Sequence, residues 1–97
     1  MSRRDTSEPL VCMAYTTYIL LSLKNGDIYV GSTADVRKRL ALHNGGRVKS
    51  TKAYKPWILM EVHVFESRSE AVRMERFLKT GQQKEILRRK YGHVAKW

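Results

Sequence analysis

Apolar residues along the chain fall into segments of different period, and each period predicts an element. Residues 15–23, YTTYILLSL, are β-branched and aromatic, and almost continuously apolar after Thr17. Such a run suits a strand covered on both faces. Lys24-Asn25-Gly26-Asp27 follows, and Asn-Gly is a hairpin signal because both residues tolerate positive φ. The strand pattern resumes over Ile28–Gly31, which predicts an antiparallel hairpin. Ser32 with Asp35 three residues on reads as a capping pair before a helix. Residues 34–43, ADVRKRLALH, are good helix formers with Val36 and Leu40 one turn apart, and Asn44-Gly45-Gly46 stops them. A basic, polar loop runs from Gly46 to Lys55. Pro56–Phe65, PWILMEVHVF, predicts a third strand.

Ser67 and Glu70 form a second capping pair. A helix over 69–80 follows, with Ala71, Met74, Phe77 and Leu78 on one stripe. Gly81 interrupts it, and residues 82–91, QQKEILRRKY, predict a last basic helix packing through Ile86, Leu87 and Tyr91. The order ββαβαα predicts an α/β fold, a small three-stranded antiparallel or mixed sheet flanked by helices. Residues 1–12 read as a flexible leader, 13–91 as one domain and 92–97 as a tail.

Composition narrows the function classes. Ninety-seven residues allow one small domain with a modest core. The lone cysteine, Cys12, excludes an internal disulfide and a multi-cysteine zinc site. No apolar run reaches the roughly 18 residues of a membrane span, and the first residues lack the apolar stretch of a signal peptide. Nineteen Lys and Arg oppose nine Asp and Glu, a net charge of +10, which argues for a polyanionic partner, nucleic acid first. The charge is concentrated. Residues 35–55 carry +6 and residues 79–97 carry +5, while residues 56–78 carry −1. The two basic stretches are either solvated surfaces or the lips of an anion-binding groove. The expectation is a cytoplasmic protein, monomeric by default, that binds DNA or RNA and no membrane.

Several polar and aromatic residues stand out as candidates. Tyr18 and Tyr29 lie on the first two strands, and Gly31 closes the second. Arg39 and His43 are four apart and share one helix face. Glu75 sits beside the apolar stripe of the second helix. Each has a plainer explanation: strand packing for the tyrosines, a strand-end glycine for Gly31, a salt bridge to Asp35 for Arg39, dipole complementation for His43 and either a solvated helix face or an arginine partner, Arg68 or Arg76, for Glu75. Trp57 reads as core, and His63 and His93 as structural or exposed.

Together these residues resemble the GIY-YIG nuclease superfamily. The matching residues are Thr17-Tyr18-Ile19, Tyr29-Val30-Gly31, Ser32-Thr33, Asp35, Arg39, His43, Lys55-Pro56-Trp57, Glu75 and Lys79. Their spacing carries the resemblance over about residues 13–88. The chain is most similar to small stand-alone bacterial members, related to the nuclease domain of the excision-repair nuclease and to homing endonucleases. The resemblance implies a metal-dependent DNA endonuclease, with a role in repair or processing, using Mg²⁺ or Mn²⁺. It implies that Tyr18 or Tyr29 helps deprotonate the attacking water and that Arg39 holds the phosphate. His43 would orient a tyrosine, contact phosphate or relay a proton, and Glu75 would be the metal ligand. Arg37, Lys38, Arg47, Lys49, Lys52, Lys55, Lys79 and Lys84 are the candidate nucleic-acid contacts. The chain departs from the family pattern in having Thr17 before the first motif Tyr. It also has Leu87 and Lys90, and no Asn, twelve and fifteen residues after Glu75. A binding module that retains the fold without turnover, and a basic RNA- or ribosome-associated protein, are the other classes the charge admits.

Overall fold

The computed structural model describes residues 14–91, so the expected leader, tail and His93 lie outside the described residues. The elements are β1 (Tyr15–Ser22), β2 (Ile28–Thr33), α1 (Val36–Asn44), a 3-10 turn (Lys52–Tyr54), β3 (Trp57–Phe65), α2 (Arg68–Leu78) and α3 (Gly81–Tyr91). The expected order ββαβαα holds. The sheet runs β2-β1-β3, and both pairings are antiparallel rather than mixed.

β1 is paired on both edges, and both of its faces are covered, one by α2 and α3 and the other by α1. That explains the unbroken apolar run: successive side chains point to opposite faces, so a strand between two layers needs no polar alternation. Ile19 and Leu21 join Ile28, Val30, Leu78 and Leu87 under α2 and α3. Tyr18 and Leu20 join Trp57, with Val36 and Leu40 of α1 packed against them. Gly26 supplies the positive φ, 76°, that the hairpin turn requires.

Some local expectations are corrected. Asp35, not Ser32, caps α1, accepting from the Lys38 amide at 3.1 Å. Ser32 is instead part of β2, which runs two residues past Gly31. Ser67 does cap α2, accepting from the Glu70 amide at 3.2 Å. Phe77 and Ile86 are about half exposed, at 53% and 48%, so the α2 and α3 stripes bury Ala71, Leu78 and Leu87 instead. Gly81 begins α3 rather than ending α2. Trp57 is core as expected, 4% exposed, with its indole N–H donating to the Thr51 carbonyl.

Two polar contacts fix the helices on the sheet. The Thr17 hydroxyl, fully buried, donates to the Ala71 carbonyl of α2 at 2.7 Å. Glu61 of β3 accepts from Tyr91 and from Lys90, which ties the end of α3 to the edge strand. His63, partly exposed, pairs with the same Glu61 at 3.0 Å.

Candidate active site

The candidate residues gather around the outer edge of β2. Alternation along this strand sends Tyr29 and Gly31 to the α1 face and Ser32 to the α2 face. The site therefore straddles a strand edge that no other described strand covers.

On the α1 face, Tyr18 stands opposite Gly31 in the strand register. Its ring lies over the glycine so closely that a Cβ there would meet the phenol oxygen at 2.5 Å and Cζ at 2.7 Å. Gly31 is thus a space-making residue, and its φ is not in the left-handed region. The Tyr18 hydroxyl meets His43 Nε2 at 3.0 Å, and His43 Nδ1 meets Thr51 Oγ1 at 2.8 Å. All three residues are buried, at 2%, 0% and 1% exposure. Burial first, and the Arg39 charge second, lower the His43 pKa, so the imidazole is neutral near pH 7.

A neutral imidazole has one donor and one acceptor nitrogen. The Thr51 hydroxyl reaches the Val48 carbonyl at 3.4 Å, which leaves its oxygen to accept from Nδ1–H. Nε2 then accepts the Tyr18 proton. Burial pushes the Tyr18 phenol up to about 12, against the lowering pull of Arg39. Tyr18 is therefore protonated and donating. Tyr29 is half-buried, with its ring centroid 4.8 Å from that of His43. The nearness of Tyr18 first, and of Tyr29 second, raises the Arg39 pKa, so the guanidinium lies beside both phenols and stays charged. Asp35 is occupied as the helix cap, and no Arg39–Asp35 ion pair occurs among the described residues.

On the α2 face, Glu75 Oε1 accepts from the Ser32 hydroxyl at 2.6 Å and Oε2 from Lys79 Nζ at 2.7 Å. Its donors are thus a serine and a lysine, and not Arg68 or Arg76. Burial alone would raise the carboxyl, but the bonds from Lys79 and Ser32 outweigh it and hold the pKa below the usual range. Lys79 also stands over the Tyr29 ring, 5.9 Å from its centroid, and so joins the two faces around the strand edge. A groove of about 300 Å³ opens beside the site, lined in part by Tyr15, Ser32, Thr33, Arg39 and Arg68.

The remaining basic candidates are spread more widely. Arg37 and Lys38 are exposed on α1, and Arg47 and Lys49 are exposed on the loop that follows. Lys52 and Lys55 are exposed beside Gly46 on that loop, and Lys84 is half-buried on α3. At the two offsets where a family Asn would stand, Leu87 is core and Lys90 is bonded to Glu61. Thr51 and Ser32 are the site residues that motif spacing missed as functional groups. A fully buried hydroxyl in a basic loop leaves no periodic trace.

Thr51→Val keeps the volume and removes the partner of His43 Nδ1. We expect a stability loss of about 1–3 kcal/mol, the cost of an orphaned buried polar group. The pH dependence of activity at this site should change with the lost tautomer control, while Thr51→Ser restores both. Thermal melts and pH–rate profiles of the two variants check this.

Comparison with known proteins bears on the family of the chain. The family model described as the GIY-YIG catalytic domain matches residues 14–92. A UPF0213 protein of Staphylococcus haemolyticus is 35% identical over 77 residues, 78% of this chain and 94% of that protein. A UPF0213 protein of Streptococcus pneumoniae is 41% identical over 61 residues, 62% of each chain, so here the match spans less than two thirds of the relative. The structure-specific endonuclease subunit slx1 of Schizosaccharomyces japonicus is 38% identical over 69 residues, 65% of this chain and only 25% of that protein. This chain belongs to the GIY-YIG family of nuclease catalytic domains.

Proposed function

We propose that the protein is a divalent-metal-dependent DNA endonuclease acting in DNA processing or repair, as a monomer in the cytoplasm. One observation carries the reading: Arg39 and the Ser32 that holds Glu75 line the same open groove. A fixed cation then lines a space large enough for a phosphodiester, and the ionised Glu75 lies one hydrogen bond behind its wall, through Ser32. The name of the slx1 relative, a structure-specific endonuclease, favours a DNA selected by its structure rather than its sequence.

The donor set suits Mg²⁺ or Mn²⁺. Among the described residues there is no cluster of three or more His, Cys, Asp or Glu, so a fully protein-coordinated ion is not supported there. A hard cation that keeps most of its waters needs only one or two carboxylates. Glu75 is ionised, and a carboxylate has about four acceptor positions, of which Ser32 and Lys79 use two. Bound there, the ion would neutralise charge on the phosphate and on the leaving oxygen.

The chain's own residues supply the rest. Arg39 grips non-bridging phosphate oxygens with its planar fork. Tyr29, the less buried phenol, takes the proton of the attacking water on its oxygen and passes its own hydroxyl proton to solvent as the new P–O bond forms; the bond to the leaving sugar oxygen breaks, and that oxygen takes up a proton from solvent. Tyr18 is sealed in and holds its proton, so it acts as a positioning residue with His43 and Thr51. His43 is too buried to touch phosphate, which leaves it the orienting role. The loop lysines and arginines hold flanking DNA.

The test is incubation of the purified protein with single-stranded, nicked and branched DNA, with Mn²⁺, with Mg²⁺ and with chelator. Metal-dependent cleavage of at least one form is expected. Binding without cleavage of any form would favour a binding module instead, the reading that Leu87 in place of the family Asn supports.

A further inference from the structure

A row of arginines leads out of the groove that holds Arg39. Arg68 is the link. It lines that groove together with Arg39 and Ser32, and it also lines an adjoining one of about 490 Å³ with Ser69, Val72, Arg73 and Arg76. Arg68, Val72 and Arg76 are each four residues apart, so they form one row along α2, with Arg73 beside it. All three arginines are exposed, and none makes an ion pair with another described residue.

The regional charge gives no hint of this, because residues 56–78 hold four Glu against three Arg. The fold separates them. Glu75 is taken up by Ser32 and Lys79, Glu61 by Tyr91, Lys90 and His63, and Glu70 by the Ser67 cap. Glu66 lies before the helix. With Glu75 offset by Lys79 and Glu61 by Lys90, and with Glu70 and Glu66 the remaining acids, the arginine face of α2 is more positive than the sequence window that encodes it. It also abuts the site, since Arg76 is close enough for its charge to act on Glu75.

We propose that this α2 face is a track for the phosphate backbone of DNA running from the Arg39 groove toward Arg76. The proposal rests on the nuclease reading of that groove. Eight residues of helix span about 12 Å at ~1.5 Å per residue. A DNA strand advances about 3.4 Å per phosphate along the duplex axis and farther along its own backbone, so the row is long enough for two or three successive phosphates. Arginine's fork suits phosphate oxygens, and three such contacts add to those of the loop lysines.

The experiment measures binding of the full chain to a short fluorescent DNA duplex in chelator, across a salt series. The variant R68Q/R73Q/R76Q is compared with K24Q/R88Q/R89Q, which removes the same charge from surfaces away from the groove. Glutamine keeps helix propensity close to arginine's, and thermal melts verify both folds. R68Q/R76Q serves as the milder variant. The slope of log affinity against log salt should become shallower by about 2 to 3 in the α2 triple variant and by about 2 in the double. The control should keep most of the original slope. Equal changes in the α2 and control variants would mean that only net charge matters, and would overturn the track. An α2 variant with an unchanged slope, alongside unmodified protein that binds and cleaves, would overturn the track alone. Failure of the unmodified protein to bind DNA would overturn the nuclease reading and the track with it.

Discussion

Glu75→Gln should reduce metal-dependent cleavage by at least about 100-fold, the scale of losing one charge-stabilising group at a transition state, while DNA binding is retained or tightened. The substitution is nearly isosteric. A glutamine can still accept from Ser32, so the tie between β2 and α2 survives. What is lost is the negative charge and the Lys79 ion pair, an i,i+4 pair with Lys79 about half exposed. Such pairs contribute roughly 0.3–0.5 kcal/mol, so the fold should barely notice. Removing a carboxylate from beside a polyanion relieves repulsion, which is why affinity should not fall.

The pH dependence has the same origin. The Glu75 pKa is depressed in the folded state, so its contribution to stability is present above the unfolded carboxyl value and is lost as pH falls through the folded one. The Gln variant should show less of that acid sensitivity. Binding isotherms, cleavage time courses and melts at neutral and acid pH, made on one preparation, test the set. Full cleavage by the variant would remove Glu75 from the metal site.

Gly31→Ala should be as damaging, by geometry rather than charge. The added methyl would sit 2.5 Å from the Tyr18 oxygen and 2.7 Å from its Cζ, and the ring is buried. Either the ring or the strand must shift. We expect a stability loss of about 1–3 kcal/mol, typical of overpacking. Displacement of the phenol would break its bond to His43 and disturb Arg39, and misplacement by about 1 Å at a reaction site costs on the order of 100-fold in rate. Adding Tyr18→Phe removes the closest atom of the clash. The double variant should therefore recover part of the stability and none of the activity, a non-additive pair. Recovery of activity along with stability would mean that the Tyr18 hydroxyl is dispensable.

The elements were legible because each rests on local rules. Asn25-Gly26 marks a hairpin by its tolerance of positive φ, and Ser67 with Glu70 marks a helix start by capping. The pairing of Arg39 with His43 on one face follows from helical period alone. Where local rules competed, they misled. Ser32 fits a cap as well as Asp35 does, and the choice is made by β2 continuing through Ser32 and by Glu75 waiting across the strand. Phe77 and Ile86 fit their stripes, yet helices this short at the margin of a small sheet leave part of each stripe uncovered.

Family membership, the strand and helix order and the identity of Tyr18, Tyr29, Arg39, His43 and Glu75 as candidates were all determined by the sequence by itself, since spacing and residue type survive without coordinates. Only the tertiary structure decided what those residues do to one another. Thr51 is eight residues from His43 and Ser32 is forty-three from Glu75, and no periodicity connects them. The same holds for charge: a window near neutrality presents a basic helix face once Glu61 and Glu75 pair with Lys90 and Lys79 from outside it. Hydrogen bonds and ion pairs are settled by distance in space, and in a sheet with a central first strand that distance bears little relation to separation along the chain.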